Sequence, residues 1–178
     1  KTGGSINARY CYSVWMRHLC YLSVYNGNKV PVRIAELGPG DSLGVGLAAV
    51  LSGSEKYFAL DIIKYWQPER NVKMLNDLLI LFNSKTNIPD NIEFPHISPV
   101  LDDYSFPSQI LTDDKLKGSL APERIERIKR ELENLDDSSN SIIKFRMPWF
   151  DCTILKKNSI DFVLSQAVLQ HVDNLEDT

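Results

Sequence analysis

Apolar and polar positions along the chain change their period several times, and each change marks an element. In "NARYCYSVWMRHLCYLSVY", Asn7 to Tyr25, Tyr10 and Val14, Cys11 and Trp15, and Trp15 and Leu19 fall at three- and four-residue steps. That spacing lines one face of a helix. Asn26-Gly27-Asn28 closes it, because Asn and Gly tolerate a left-handed cap. Pro31 leads into "VRIAEL", Val32 to Leu37, a mainly apolar run of strand length. A turn, Gly38 to Asp41, and a helix, Ser42 to Leu51, follow, with Gly53 as the stop. "KYFALDII", Lys56 to Ile63, is a second strand. Strand, helix and strand within roughly thirty residues make the βαβ unit of a parallel sheet.

The span 64–141 has a different texture. "PERNVKMLNDLLILFNS" predicts a helix with Pro68 in its first turn, where proline is tolerated. "NIPDNIEFPHISPVLDDYSFPSQIL" is rich in Pro and Asp and shows little period. "APERIERIKRELENL" predicts a helix opened by Pro122, with charges of both signs on its outer face. So long an excursion between strands reads as an insertion or lid. "DDSSNS", Asp136 to Ser141, is a loop. "SIIKFRMPWF" supplies a third strand, Ile142 to Arg146, ended by Pro148. "IDFVLSQAVLQHV" supplies a fourth, Ile160 to Ser165, running into a helix at about Ala167. Four strands interleaved with about five helices predict an α/β fold with a mostly parallel sheet. No internal repeat is visible.

Composition narrows the class. The chain has 178 residues, 43% hydrophobic and 24% charged, ordinary values for one globular domain. Its net charge of −3 and pI near 5.6 argue against a general nucleic-acid binder. Cys11, Cys20 and Cys152 are too few and too scattered for a disulfide framework or a zinc site, and no metal centre is expected. No apolar run approaches the ~18 residues of a membrane span, and no signal-peptide layout opens the chain. The expected compartment is the cytoplasm. The chain starts with Lys1 and stops at "HVDNLEDT", inside a helix or its exit, which reads as a fragment of a longer protein.

The stretch "AELGPGDS" carries the chemistry. In open α/β sheets ligands bind at the carboxyl ends of the strands. Glycine lets backbone N–H groups approach a ligand, and the following helix N-terminus favours a carboxylate or phosphate. Asp61 closes the second strand, and its two acceptor oxygens match the two vicinal hydroxyls of a ribose. A dinucleotide wants G-x-G-x-x-G or A, but Gly38 and Gly40 are followed by Leu43, so the third small residue is absent. A nucleoside triphosphate wants G-x-x-x-x-G-K-[ST], and "GPGDSLGVG" has no Lys. S-adenosylmethionine, which has no phosphate, needs neither.

"AELGPGDS", then "YFALDI", then "SIDFVLSQAVLQHV" resembles the class I S-adenosylmethionine-dependent methyltransferases over Val32–Ile63 and Ile142–Val172. The resemblance implies a Rossmann-like three-layer α/β/α domain, incomplete at its C-terminus, since the family's sheet usually has seven strands. It divides 1–178 into an N-terminal helical cap (1–31), a cofactor-binding βαβ unit (32–63), the insertion or lid (64–141), and the third and fourth strands with the following helix (142–178). Glu36, Gly38 and Gly40 match the family's first motif, with Asp41 in the turn and Ser42 in place of a third glycine. Glu36 is then the partner of the methionine amino end, and the Ser42 hydroxyl a donor to its carboxylate. Asp61 matches the ribose acid, with Ile62 beside it. Asp151 is the best match to the acid near the adenine amino group, while Trp149 or Phe150 would stack on the adenine. Ser165 and Gln166 match the fourth-strand motif beside the sulfonium.

The implied reaction is methyl transfer to a small-molecule, sugar or lipid acceptor. No "NPPY"-like run follows the fourth strand, which argues further against a nucleic-acid substrate. No catalytic base is singled out. His171 is the one candidate, against the simpler reading of a packed histidine, and His18 and His96 rank below it. The N-terminal helix would cover the substrate mouth or simply pack its Tyr and Trp on the sheet. Gly44 and Gly46 lower helix propensity and read as close-packing positions. The competing readings are a non-catalytic S-adenosylmethionine-binding module and a dinucleotide-dependent Rossmann oxidoreductase.

Overall fold

Capping groups and prolines set the helix ends. The computed structural model describes residues 4–135, 140–151, 153 and 155–169. A short 3-10 turn, Gly4–Ile6, precedes α1, Ala8–Asn26. The Asn7 side chain accepts from the backbone N–H of Arg9 and Tyr10, satisfying donors that the first turn leaves open. Gly27, at φ 68°, ends the helix and donates to the Ser23 carbonyl. Helix α2 spans Gly44–Leu51, and α3, Pro68–Asn83, and α5, Pro122–Glu133, both open on proline. Between those two lies α4, Asp113–Ser119, where the sequence suggests irregular chain. It has seven residues, one glycine and a single central apolar anchor, Leu116, so it shows no period. Its local signal is Thr112, whose hydroxyl accepts from the Lys115 N–H.

Four strands, β1 (Arg33–Leu37), β2 (Lys56–Leu60), β3 (Ile143–Arg146) and β4 (Phe162–Ser165), form an all-parallel open sheet in the order β3-β2-β1-β4. Strand β2 stops three residues before the expected Ile63. The Asp61 N–H still reaches the Arg146 carbonyl at 3.1 Å, and then the chain leaves the ladder. After β4 the chain turns at Ala167, φ 58°, and the helix expected from about that residue lies mostly outside the described residues. Residues beyond Leu169 lie outside the described set.

Side-chain alternation gives the sheet two unlike faces. Ile34, Tyr57, Ile143 and Phe162 share one rung of the first face, and Glu36, Ala59, Phe145 and Leu164 share the next. The helices pack here. A Cβ on Gly46 of α2 would lie 2.0 Å from the Tyr57 ring, so only glycine allows the helix to sit this low. Trp15 of α1 meets Phe162 edge-on at 6.4 Å, and Trp66 meets Phe145 at 5.3 Å. On the opposite face Val163 is exposed and Phe58 is half-buried, while Ala35 and Leu60 are buried.

The 64–141 excursion shares this core. Leu75, Leu78 and Phe82 of α3 and Ile128 and Leu132 of α5 are fully buried in the same cluster as α1 and α2. Its irregular part is held by Arg17 of α1, which is fully buried. That guanidinium donates to the carbonyls of Pro89 and Ile97 and to the side chains of Ser13 and Asn91, and it lies over the Tyr104 ring. A charge is tolerated at such depth because its donors are matched by acceptors.

Candidate functional site

The carboxyl ends of the parallel strands converge on the turn after β1. Gly38 and Gly40 have φ of 69° and 72°, the left-handed region that glycine enters without strain. The Gly38 N–H donates to the Leu60 carbonyl at 2.7 Å, joining the turn to the end of β2. Asp61, 5% exposed, points back at the turn. Its Oδ2 accepts from the Gly40 N–H at 3.4 Å, and its Oδ1 from the Ile62 N–H at 2.8 Å. Each oxygen thus keeps further acceptor capacity. The first turn of α3 braces the assembly. Arg70 Nη1 donates to the Asp41 carbonyl at 3.0 Å and lies 3.9 Å from its carboxylate, and Asn71 Oδ1 accepts from the Leu43 N–H at 2.9 Å.

Glu36 lies beneath the turn, on the helix-covered face. It is 3% exposed and accepts from the Tyr57 hydroxyl at 2.6 Å. Burial pushes its carboxyl up to about 7, against the opposing effect of hydrogen bonds from the Tyr57 hydroxyl and the Gly46 backbone, and the Asp61 charge adds to the rise. The Tyr57 hydroxyl is raised well above its ordinary value by burial and by the Glu36 charge. Cys11, buried beside the turn, is raised by burial and then by Glu36.

The chain's own groups fill the space that the glycines leave open. The Asp41 N–H donates to Ser5 Oγ at 3.1 Å, and the Ser42 hydroxyl donates to the Ser5 carbonyl. Ser42 Oγ also accepts from the Gly44 N–H, capping α2, so this hydroxyl is committed inside the protein. A Cβ on Gly38 would lie 2.6 Å from both Val168 methyls. The 3-10 turn and the chain after β4 therefore close over the bend from two sides.

An apolar rim follows Asp61. Ile62, Met147 and Phe150 are exposed, and Trp149 is half-buried. The 61–146 hydrogen bond sets the first two of these neighbourhoods side by side. Asp151 turns into its own loop, where Oδ1 accepts from the Thr153 N–H and hydroxyl, and these bonds lower its carboxyl. Ser165 Oγ donates to the Leu37 carbonyl at 3.4 Å, beside the turn. Gln166 lies near enough to Tyr10 and His18 of α1 to act on both side chains. Burial lowers the His18 imidazole, and its Nε2 has no partner. His171 lies outside the described residues.

Sequence reasoning missed Tyr57, Arg70, Asn71 and Ser5. Tyr57 was legible only as a strand position, since its link to Glu36 needs the β1–β2 register. Arg70 and Asn71 sit just inside the helix after the second strand, a place that always returns towards the first turn in a βαβ unit. Nothing local marks Ser5. Among the described residues no group of three or more His, Cys, Asp or Glu is placed to hold a metal ion, and no helix is long and apolar enough to cross a membrane. Comparison with family models, curated proteins and solved structures returns no match for the chain.

Proposed function

We propose that this crevice binds S-adenosylmethionine and that the chain belongs to a methyl-transfer system acting on a small-molecule, sugar or lipid acceptor. The observation that carries the reading is the approach of Asp61 to the glycine turn, Oδ2 to Gly40 N at 3.4 Å. A carboxylate aimed into a side-chain-free bend, with spare acceptor sites on both oxygens, suits a ribose diol. The exposed side chains of Ile62 and Phe150 suit an adenine face.

The methionine end asks more of the protein. The Asp41 N–H is the donor best placed for a carboxylate, and Ser5 already accepts from it. Ser5 and Val168 must withdraw for a ligand to reach the bend. Glu36 supports the turn from below through Tyr57 and reaches a ligand ammonium only if α2 shifts. Arg70 and Asn71 hold the turn in shape during such movement.

The bound cofactor supplies an electrophilic methyl group, and the protein supplies position and water exclusion. Closure of the Gly4–Ile6 turn and of the chain after β4 over the bend would exclude water.

Calorimetric titration with S-adenosylmethionine, on the wild-type chain and on Asp61→Ala, tests the reading. Micromolar binding that weakens about a hundredfold in the variant supports it, the scale of a lost pair of charge-assisted hydrogen bonds. Tighter binding of NAD than of S-adenosylmethionine overturns it in favour of a dinucleotide enzyme.

A further inference from the structure

A second cavity, of about 460 Å³, opens at the other end of the sheet, where the chain enters β1 and β2. It lies a full strand length from Asp61, about 15 Å for five residues. Its wall carries three cations, Lys29, Lys115 and Arg124, against one carboxylate, Glu55. Ser52 and Ser119 complete the polar lining.

Two of the cations, Arg124 and Lys115, are held in place by structure. Arg124 Nη2 donates to the carbonyls of Ser54 at 2.7 Å and Val50 at 3.2 Å, which fixes the guanidinium at the end of α2. Its Nε is buried with no acceptor, a donor that the fold leaves unanswered. Lys115 Nζ donates to the carbonyls of Ile110 at 2.9 Å and Asn28 at 3.3 Å, so two of its three donors are used. Arg124 also lies in the first turn of the twelve-residue α5, whose N-cap, Ala121, brings no side chain to the open N–H groups. The same first turn carries Glu123, and α5 reaches the cavity through Arg124.

We propose that this cavity binds a phosphate monoester or diphosphate. An anion of two charges with several oxygens answers the cavity's excess of two positive charges, three cations against one carboxylate. The volume exceeds that of a bare phosphate and leaves room for a second phosphate or an organic body. A single carboxylate carries one charge against that excess of two. The site is independent of the crevice at Asp61 and does not rest on the methyl-transfer reading.

The test is titration calorimetry of the full chain with pyrophosphate, glucose 6-phosphate and AMP, with sulfate as the control anion, at fixed ionic strength. At least one phosphate compound is expected to bind more tightly than sulfate and to weaken about tenfold in Lys29→Gln and in Arg124→Gln. Arg124 also caps α2, so if that variant unfolds, Lys29→Gln decides alone. The Asp61→Ala variant is expected to bind the phosphate compound like wild type. Absence of binding for all three compounds at about 10 mM, the weak limit for a specific site, refutes the proposal. So does unchanged affinity in Lys29→Gln. Preference among the three compounds decides between a second phosphate and an organic body.

Discussion

Replacing Glu36 by Gln is expected to stabilise the protein, and only above mildly acidic pH. The carboxyl is almost fully buried under α2, and its pKa rises from 4.5 to about 7. A raised carboxyl binds its proton more tightly in the folded state than in the unfolded one. Its stabilising contribution is therefore complete below 4.5 and is lost as pH rises through 7. At 1.36 kcal/mol per pKa unit the loss amounts to about 3 kcal/mol by pH 8. The groups that face the carboxyl are the Tyr57 hydroxyl, the Gly46 N–H, the Cys11 thiol and the Asp61 carboxylate. Tyr57 and Cys11 are themselves raised by burial and by Glu36, so they stay neutral through this window. Asp61 is a second acid, and its charge works in the same direction as burial. The Gln amide reproduces the donor and acceptor pattern of the protonated acid, so the comparison isolates the charge. The assay is urea unfolding of wild type and Glu36→Gln at pH 5 and pH 8, read as a double difference. That difference cancels every other titrating group and any offset from the amide itself. The expected result is a gain for the variant that grows by about 2.5 kcal/mol between the two pH values, since a little of the loss is already present at pH 5. A difference that stays constant with pH refutes the reasoning, because Glu36 would then be ionised throughout or solvated.

Three further substitutions probe the packing that positions the site. Gly46→Ala drives a methyl group into the Tyr57 ring and is expected to cost about 3 kcal/mol, the upper range for overpacking, measured by urea unfolding. Arg17→Met leaves the Ile97 carbonyl buried without its donor, while Pro89 keeps the Ser13 hydroxyl, and is expected to cost ~1–3 kcal/mol; a loss below 1 kcal/mol by urea unfolding counts against the clamp. Asn71→Ala removes the side-chain acceptor at the Leu43 N–H and is expected to cost ~1 kcal/mol, as for a lost helix cap. If the turn depends on that brace, S-adenosylmethionine affinity falls with it in calorimetry.

Period, proline and capping signals are local, and they made most of the fold legible. The α/β class, the four strands and α1, α3 and α5 follow from residues within one or two turns of each other, as with Asn7 before α1 and Pro122 opening α5. The same locality made Gly38, Gly40 and Asp61 readable as a set, because a βαβ unit brings the ends of two successive strands together. Helix α4 escaped because one apolar anchor in seven residues has no period.

Long-range packing decided the rest. Glu36 and Asp61 are both acids at strand ends, yet one is buried beneath α2 against Tyr57 and the other faces the bend. Alternation along β1 and the depth to which Gly46 lets α2 settle make that difference, and neither is visible in a short window. The commitment of the Ser42 hydroxyl to Ser5, and the seating of Val168 on Gly38, depend on segments 37 and 130 residues distant in the chain. A donor or acceptor is satisfied by whatever the fold brings within 3 Å, and sequence distance places no limit on that. The sequence by itself therefore determined where the glycine turn is built and from which residues. The tertiary structure alone decided which of their hydrogen-bonding groups still face outward.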